Sequence, residues 1–187
     1  MLMNNDLNDV KKLQAKSTCV YDAKTIAKAI ETMATKMNAD FADKNPILLC
    51  AMNGALIFLG QLAPLLTFPL QIDYIHTSRF RGEIRGGDLH WLATPTISLK
   101  NRTIIIIEDI LDSGITLAAI KDYCLQQNAK EVFSVVLVDK DHPRSEGGVI
   151  KADYTGLEIE DKFLIGFGLD YKGYLRNIPG IYAVEEE

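Results

Sequence analysis

The chain has 187 residues, of which 48% are hydrophobic and 24% are charged. This length and composition are typical of one globular domain with a small appendage, and they exclude a fibrous repeat or long disorder. The formal net charge of -5 predicts no nucleic-acid partner and no anionic membrane partner. Because the sequence shows neither a signal peptide nor a run of roughly 20 apolar residues, we predict a cytoplasmic protein.

The first half of the chain predicts two helices and two strands. Apolar residues recur at helical spacing over 22–41, and Asp22 is placed to cap the amino end of this helix. The wholly apolar run 47–51 is typical of a parallel strand that is covered on both faces. A second helix over 55–65 and a strand over 70–75 follow.

The next segment is polar, and it predicts a mobile loop or loose hairpin over residues 76–97. Arg79, Arg81 and Arg85 are interspersed there with three glycines. Contact with RNA is an alternative interpretation of such a segment, but three arginines in one loop of an acidic protein support it only weakly.

The second half of the chain alternates strand, helix and strand. Strands are predicted over 104–107 and 132–138, and a helix is predicted over 116–128 between them. This alternation predicts an α/β fold in which a central parallel twisted sheet is flanked by helices.

The tail is richer in turns and aromatic residues, and it predicts a small hood beside the main sheet. Its strand candidates are 154–157, 163–166 and 181–184. We therefore predict that residues 1–187 form a single domain, with the hood made by 153–187 and part of the N-terminus.

Acidic and hydroxyl residues follow the isoleucine strand. Glu108 and Asp109 come directly after Ile107, and open parallel sheets bind ligands at the carboxyl ends of their strands. Their carboxylates can accept hydrogen bonds from sugar hydroxyls. The segment Asp112-Ser113-Gly114-Ile115-Thr116 then combines hydroxyls, a glycine and a helix start, so its backbone N–H groups can hold a phosphate. The pattern predicts a site for a phosphorylated ribose.

Residues 105–117 resemble the phosphoribosyl diphosphate signature of type I phosphoribosyltransferases. The resemblance implies the fold of that family and Mg²⁺ as its cofactor, with metal ligands from Glu108, Asp109 and Asp170. It also implies that Asp112 is the general base, which takes the proton from purine N7 as N9 attacks. The implied ribose-phosphate site consists of Glu108, Asp109, Asp112, Ser113, Gly114, Ile115 and Thr116.

Further segments resemble the purine branch of this family, the hypoxanthine-guanine phosphoribosyltransferases. Lys140 follows an apolar strand and is similar to the family's lysine that donates to purine O6. The segment 161–171 resembles the base-binding and metal-binding segment, which implies that Phe163 stacks on the base, that the Leu164 backbone meets the base edge and that Asp170 lies beside it.

These resemblances imply phosphoribosyl diphosphate, hypoxanthine and guanine as substrates, with Asp112 and Lys140 as catalytic residues. The side chain of Lys140 carries only donors, so it favours an oxo group at purine position 6. Adenine would leave a buried donor unpaired there and should be rejected.

The sequence departs from the family's pattern in two segments that the resemblance assigns to the diphosphate. Asn53-Gly54 stands where many members have a lysine or arginine before the glycine, so more of the diphosphate charge falls on magnesium and on Arg176. Ser78-Arg79 stands where the family commonly has a Ser-Tyr pair, in the segment that is expected to close over the site. The expected diphosphate contacts are Asn53, Gly54, Ser78, Arg79 and Arg176.

Two alternative functions remain open. One is phosphoribosyl transfer to another base, which would involve different residues at Lys140 and Phe163. The other is a regulatory protein on the same scaffold that binds a nucleotide or RNA, and the intact Asp112 weighs against it. A nucleotide hydrolase or kinase is poorly supported, because neither a Walker-type loop nor a GxGxxG loop follows a predicted strand.

The histidines and the oligomeric state are constrained only weakly. His76, His90 and His142 lack a paired nucleophile or a metal-spaced partner, so they are predicted to be structural or exposed. The family resemblance and the apolar residues near 56–66 predict a homodimer or homotetramer.

Overall fold

A computed structural model describes residues 3–79 and 89–184, with the side chains of 7–77 and 90–184. Its helices are α1 (Met3–Ala15), α2 (Ala23–Phe41), α3 (Leu56–Leu62) and α4 (Ile115–Gln126), and a 3-10 turn spans Ala63–Leu65. Its strands are β1 (Ser17–Tyr21), β2 (Ile47–Met52), β3 (Gln71–Arg79), β4 (Leu89–Ala93), β5 (Thr103–Leu111), β6 (Glu131–Asp141), β7 (Tyr154–Glu160), β8 (Phe163–Ile165) and β9 (Ile181–Val184).

The main sheet contains six of these strands in the order β4-β3-β2-β5-β6-β7. Neighbouring strands from β3 to β7 are parallel, whereas β4 pairs antiparallel with β3 at the edge. The apolar runs 47–51 and 104–107 lie in the central strands and are buried. The predicted α/β fold, with a central, mostly parallel sheet flanked by helices, is confirmed.

Alternate residues of the central strands face two separate hydrophobic cores. Leu48 and Ile105 pack with residues of α2 and α3, whereas their sequence neighbours Leu49 and Ile106 pack with residues of α4. Both faces of the sheet are therefore covered, which is why these strands are apolar at every position. Residues that follow the carboxyl ends of β2, β5 and β6 project from a tightly packed scaffold.

The longest described helix is α2, with 19 residues. Asp22 caps its amino end, as predicted, by accepting a hydrogen bond from the backbone N–H of Thr25 at 2.8 Å. Among the described helices, none combines the length and the apolar composition that crossing a bilayer requires.

A small antiparallel sheet with the order β1-β9-β8 forms the hood. It combines strands from both ends of the chain, and α1 packs on it through Val10, which contacts the cluster of Ile165 and Leu175. The predicted hood boundary at residue 153 is wrong, because β7 pairs in parallel with β6 and forms an edge of the main sheet. The C-terminal strands of the hood begin only at Phe163.

The segment 76–97, which the sequence predicted to be a mobile loop or loose hairpin, contains the last residues of β3 and all of β4. Arg79 is the last residue of β3 and pairs with Leu89, the first residue of β4, in an antiparallel ladder. The described part of this segment is therefore a hairpin. Arg81 and Arg85 belong to residues 80–88, which lie outside the described part of the chain.

Candidate active site

Glu108 and Asp109 lie near the carboxyl end of β5, which continues to Leu111 instead of ending at Ile107 as the sequence predicted. Successive side chains of a strand point to opposite faces, so the two carboxylates differ in environment. Asp109 is buried, with 8% of its surface exposed, whereas Glu108 is half-buried. The longer strand thus places two neighbouring acids on opposite faces of the sheet.

The loop after β5 has the conformation that a phosphate cradle needs. Gly114 has a φ of +78°, a left-handed conformation that glycine adopts without strain, and α4 begins at the next residue. A cavity of about 180 Å³ adjoins this loop. Its lining residues are Glu108, Ile110, Leu111, Asp112, Ser113, Gly114, Thr116 and Leu117. Backbone N–H groups at the start of α4 therefore face a space that is suited to an anion.

The segment 145–149 contacts this loop through main-chain hydrogen bonds. The backbone N–H of Ser145 donates to Ser113 O at 3.1 Å, and that of Val149 donates to Gly114 O at 3.1 Å. A Cβ atom on Gly114 would lie 2.4 Å from the carbonyl oxygen of Val149. The loop 112–116, called the phosphate loop from here on, is consequently fixed by main-chain contacts with the segment 145–149.

Gly54, a predicted diphosphate residue, lies directly against Asp109. A Cβ atom at Gly54 would lie 1.9 Å from Oδ2 of Asp109, and one at Gly168 would lie 2.1 Å from the carbonyl oxygen of Gly54. Three separate segments of the chain therefore meet here without room for another carbon atom. The neighbouring Asn53 is exposed.

Arg176 and Asp170 form an ion pair with each other. The sequence assigned Arg176 to the diphosphate, and it assigned Asp170 to the metal and the base. Nη2 of Arg176 lies 2.7 Å from Oδ1 of Asp170, and its Nη1 donates to Gly168 O at 2.5 Å. Burial raises the pKa of Asp109 to about 6, with the charge of Asp170 acting in the same direction and that of Arg176 opposing it. The charges of Asp109 and Asp170 thus interact with each other, and Arg176 compensates part of this negative charge.

A second cavity, of about 200 Å³, contains the residues predicted to bind the base. Its lining residues are Asp109, Ile110, Asp112, Lys140, Lys162, Phe163, Leu164, Leu169 and Asp170. Phe163 is 42% exposed, so its ring is available to a ligand and is not consumed by core packing. The structure brings together Lys140, Phe163, Leu164 and Asp170 around one space.

Lys140 lies within a small cluster of charges at the end of β6. Its Nζ lies 3.2 Å from Oδ1 of Asp112 and 2.6 Å from Oδ1 of Asp161. Burial alone would lower the pKa of Lys140, but the hydrogen bond with Asp161 and the charge of Asp112 outweigh burial and raise it. Lys140 is therefore held as a charged donor at the edge of the base cavity.

Sequence reasoning missed two residues of this cluster, Asp161 and His142. Nε2 of His142 lies 2.8 Å from Oδ1 of Asp112, although the sequence predicted this histidine to be structural or exposed. The available signal was its position, because His142 comes two residues after Lys140 and directly follows the end of β6. Asp112, His142 and Asp161 lie within reach of one another, but they are not the predicted metal ligands.

Arg144 is a further residue that the sequence did not indicate. Its Nη1 donates to Leu111 O at 3.1 Å, to Asp112 O at 2.8 Å and to Lys140 O at 2.8 Å, and its Nη2 contacts the carboxylate of Asp139. This largely buried guanidinium ties the end of β5 to the end of β6. It thereby fixes the distance between the phosphate loop and Lys140.

The remaining diphosphate residues, Ser78 and Arg79, lie on the described backbone of β3, but their side chains belong to the part of the chain outside the described residues. Their predicted role therefore stays a prediction. The other predicted site residues converge on the carboxyl ends of the parallel strands, where open sheets of this type bind ligands.

Comparison with known proteins places this geometry in a family. The phosphoribosyl transferase domain matches residues 17–172. The chain is 32% identical over 181 residues to the hypoxanthine-guanine phosphoribosyltransferase of Streptococcus agalactiae serotype V, with 96% of each chain covered. It is 32% identical over 157 residues to the enzyme of the same name from Bacillus subtilis, with 83% of this chain and 86% of that one covered.

A solved structure supports the same assignment. The crystal structure of a hypoxanthine phosphoribosyltransferase from Staphylococcus aureus has a TM-score of 0.84 to this chain at 26% identity, and the alignment covers 90% of this chain and 91% of that one. The domain match extends from β1 through β8 and includes the phosphate loop, Lys140 and Asp170. The chain therefore belongs to the phosphoribosyl transferase domain family.

Proposed function

We propose that the chain is a hypoxanthine-guanine phosphoribosyltransferase of purine salvage. It transfers the 5-phosphoribosyl group from phosphoribosyl diphosphate to N9 of hypoxanthine or guanine and yields IMP or GMP and diphosphate. One observation carries the proposal: Asp112 lines both the cavity at the phosphate loop and the cavity of the base residues. The same carboxylate lies where a bound sugar and a bound base would meet.

The ribose-phosphate end of the substrate is assigned to the β5–α4 corner. The backbone N–H groups of residues 113–116 bind the 5-phosphate, and the positive end of the α4 dipole favours its charge. The carboxylates of Glu108 and Asp109 accept hydrogen bonds from the ribose hydroxyls. This arrangement orients the anomeric carbon toward Asp112 and the base cavity.

The diphosphate and Mg²⁺ are assigned to the carboxylates of Glu108, Asp109 and Asp170, together with Gly54 and Arg176. Carboxylate oxygens are the donors that Mg²⁺ prefers, and Mg²⁺ typically takes only one or two of them from the protein beside substrate oxygens. The raised pKa of Asp109, caused first by its burial, fits a site in which a cation compensates the acids. When bound, Mg²⁺ neutralises charge on the diphosphate.

The base is assigned to the cavity of Lys140 and Phe163. The exposed ring of Phe163 stacks on the purine, the Leu164 backbone meets its edge and Lys140 donates to O6. As N9 attacks the anomeric carbon, Asp112 accepts the proton from N7, which increases the electron density available for the new bond. Asp112 and Asp161 already accept from Lys140. Adenine has an amino group at position 6 and would leave the third N–H of this ammonium without an acceptor.

A base panel tests the proposal. Purified protein with phosphoribosyl diphosphate and Mg²⁺ should release diphosphate with hypoxanthine and guanine, much less with adenine, and none after chelation of Mg²⁺ by EDTA. Equal turnover of adenine and hypoxanthine would contradict the assignment of Lys140. RNA or nucleotide binding without diphosphate release from any base would favour a regulatory protein on this scaffold.

The cellular location and the assembly of the chain stay predictions. Leu56 and Leu65 are 52% and 40% exposed, which keeps apolar surface available for the predicted homodimer or homotetramer. Sedimentation of the purified protein tests this point, and a monomer at assay concentration would contradict it.

A further inference from the structure

The contacts of Asp112 fall on one of its two carboxylate oxygens. Among the described residues, both Nε2 of His142, at 2.8 Å, and Nζ of Lys140, at 3.2 Å, approach Oδ1. The proton that leaves the base needs an acceptor on the same carboxylate. Because Oδ1 is held on the protein side by two donors, Oδ2 is the oxygen that remains for the base.

The contact between His142 and Asp112 determines which ring nitrogen of the imidazole carries the hydrogen. A carboxylate that is ion-paired with Lys140 offers only acceptor atoms. Nε2 of His142 must therefore be the donor, and the neutral ring carries its hydrogen there and not on Nδ1. The ring is only 20% exposed, so the surrounding protein limits its movement and keeps this donor beside the general base.

A metal ion is a poor explanation for the same cluster. Asp112, His142 and Asp161 lie close enough to hold a cation, but the ammonium of Lys140 already lies 3.2 Å and 2.6 Å from the two carboxylates. A second cation would be repelled by this charge. The contact between His142 and Asp112 is therefore interpreted as a hydrogen bond that serves the carboxylate.

Charged groups from three elements face the ring of His142. Asp112 follows β5, Lys140 belongs to β6, and Asp161 lies between β7 and β8. The ring also lines a larger cavity, of about 680 Å³, on the outer side of this cluster. The other charged residues of that cavity are Asp139, Asp141, Arg144, Lys151, Glu158 and Glu160, of which Arg144 and Asp139 pair with each other.

We propose that His142 is a positioning residue for the transfer reaction: it holds Oδ1 of Asp112 so that Oδ2 faces N7 of the base. This inference rests on the proposed function. In the step concerned, the bond from N9 to the anomeric carbon forms, the bond from that carbon to the diphosphate oxygen breaks with its electron pair, and the N7 proton passes to Oδ2.

Two substitutions test the hydrogen bond to Asp112. His142→Ala removes it, so the single-turnover rate of nucleotide formation at neutral pH should fall about tenfold, the effect of one hydrogen bond to a charged group. His142→Gln keeps an amide donor, so it should retain most of the wild-type rate, and this rescue distinguishes loss of the hydrogen bond from loss of the ring.

Asp141→Asn is the matched control, because it removes an adjacent exposed charge that does not contact Asp112 among the described residues. Its rate should match that of the wild type. Thermal melting of each variant identifies a loss of folding, and the glutamine variant keeps the test valid when the alanine variant is unstable.

Two outcomes would overturn the inference: equal rate losses in the glutamine and alanine variants, and a wild-type rate in His142→Ala. Failure of the wild-type protein to form nucleotide from any purine base is a different result, because it overturns the proposed function itself. The affinity for phosphoribosyl diphosphate should stay unchanged in both variants, since the phosphate loop is held by other contacts.

Discussion

The ribose-phosphate corner and the base cavity meet at Asp112, but they are held together in different ways. The corner comes from one continuous stretch, 108–116, and backbone hydrogen bonds and close glycine contacts fix it. The base cavity comes from separate segments, and its polar edge is an ion-pair cluster whose acids, Asp112 and Asp161, are 48% and 59% exposed. Backbone packing tolerates little displacement, whereas exposed ion pairs contribute little free energy. Substitutions in the corner should therefore abolish turnover, and those in the exposed cluster should only adjust it.

The largest effect is expected at the junction of the two regions. Asp112→Asn keeps the shape of the side chain but removes its ability to accept the N7 proton, so turnover should fall by about 10²-fold to 10⁴-fold. The affinity for phosphoribosyl diphosphate should change far less, because the loop's N–H groups are retained. Steady-state kinetics with hypoxanthine measures both quantities. Asp122→Asn, at an exposed position of α4, is the control, and equal losses of turnover and affinity would contradict the role of Asp112.

The next largest effect tests the close packing of the corner. Gly54→Ala places a Cβ atom 1.9 Å from the carboxylate of Asp109, so that carboxylate must move. Displacement of a positioning group by about 1 Å can lower turnover about 10²-fold. Gly60→Ala is a matched control, because its Cβ would meet nothing within 4 Å and alanine favours helix α3. Retention of full activity by Gly54→Ala would show that the corner is looser than its packing indicates.

The same contrast explains how much of the site the sequence could predict. The turn from β5 into α4 was predictable because its hydroxyls, glycine and helix start are contiguous in the chain. The true end of β5 at Leu111 was missed, because two acids after an apolar run usually indicate the end of a strand. Since successive side chains point to opposite faces, a strand can nevertheless continue with one acid buried and the next one half-buried.

Other parts of the structure depend on partners that are distant in the chain. α1 and β1 were not predicted because their sequences are largely polar, and they pack against the C-terminal segment of the hood, which is distant in the chain. His142 and Arg144 were missed because their partners Asp112 and Leu111 lie 30 and 33 positions away. A local pattern cannot indicate such contacts without the fold.

A smaller effect is expected for the residue that connects the two regions. Arg144→Lys keeps the charge but loses the planar fork that donates to three carbonyl oxygens, so unfolding should become easier by about 1–3 kcal/mol. Turnover should also fall, by about tenfold, because the end of β5 is no longer tied to Lys140. Urea unfolding and steady-state kinetics measure the two effects. Arg102→Lys is the control: Arg102 donates to Gln71 and to Asn45 O, away from the site, so its loss should affect stability without affecting turnover.

The smallest effect is expected at the exposed ion pair of the base cavity. Asp161→Asn removes one of the two acids that contact Lys140, while Asp112 retains its contact at 3.2 Å. An exposed pair contributes about 0–1 kcal/mol, so the KM for hypoxanthine should rise by no more than about fivefold, and the KM for phosphoribosyl diphosphate should stay unchanged.

The hydrogen bond from Lys140 lowers the pKa of Asp161, so the pair remains charged from about pH 6 to about pH 8 and the effect should be constant over that range. Glu160→Gln, which disrupts an exposed pair with Lys162, should leave both constants unchanged. A loss in Asp161→Asn as large as that in Asp112→Asn would mean that the base cavity is held as rigidly as the phosphate corner, because only a tightly coupled network loses so much from one exposed partner.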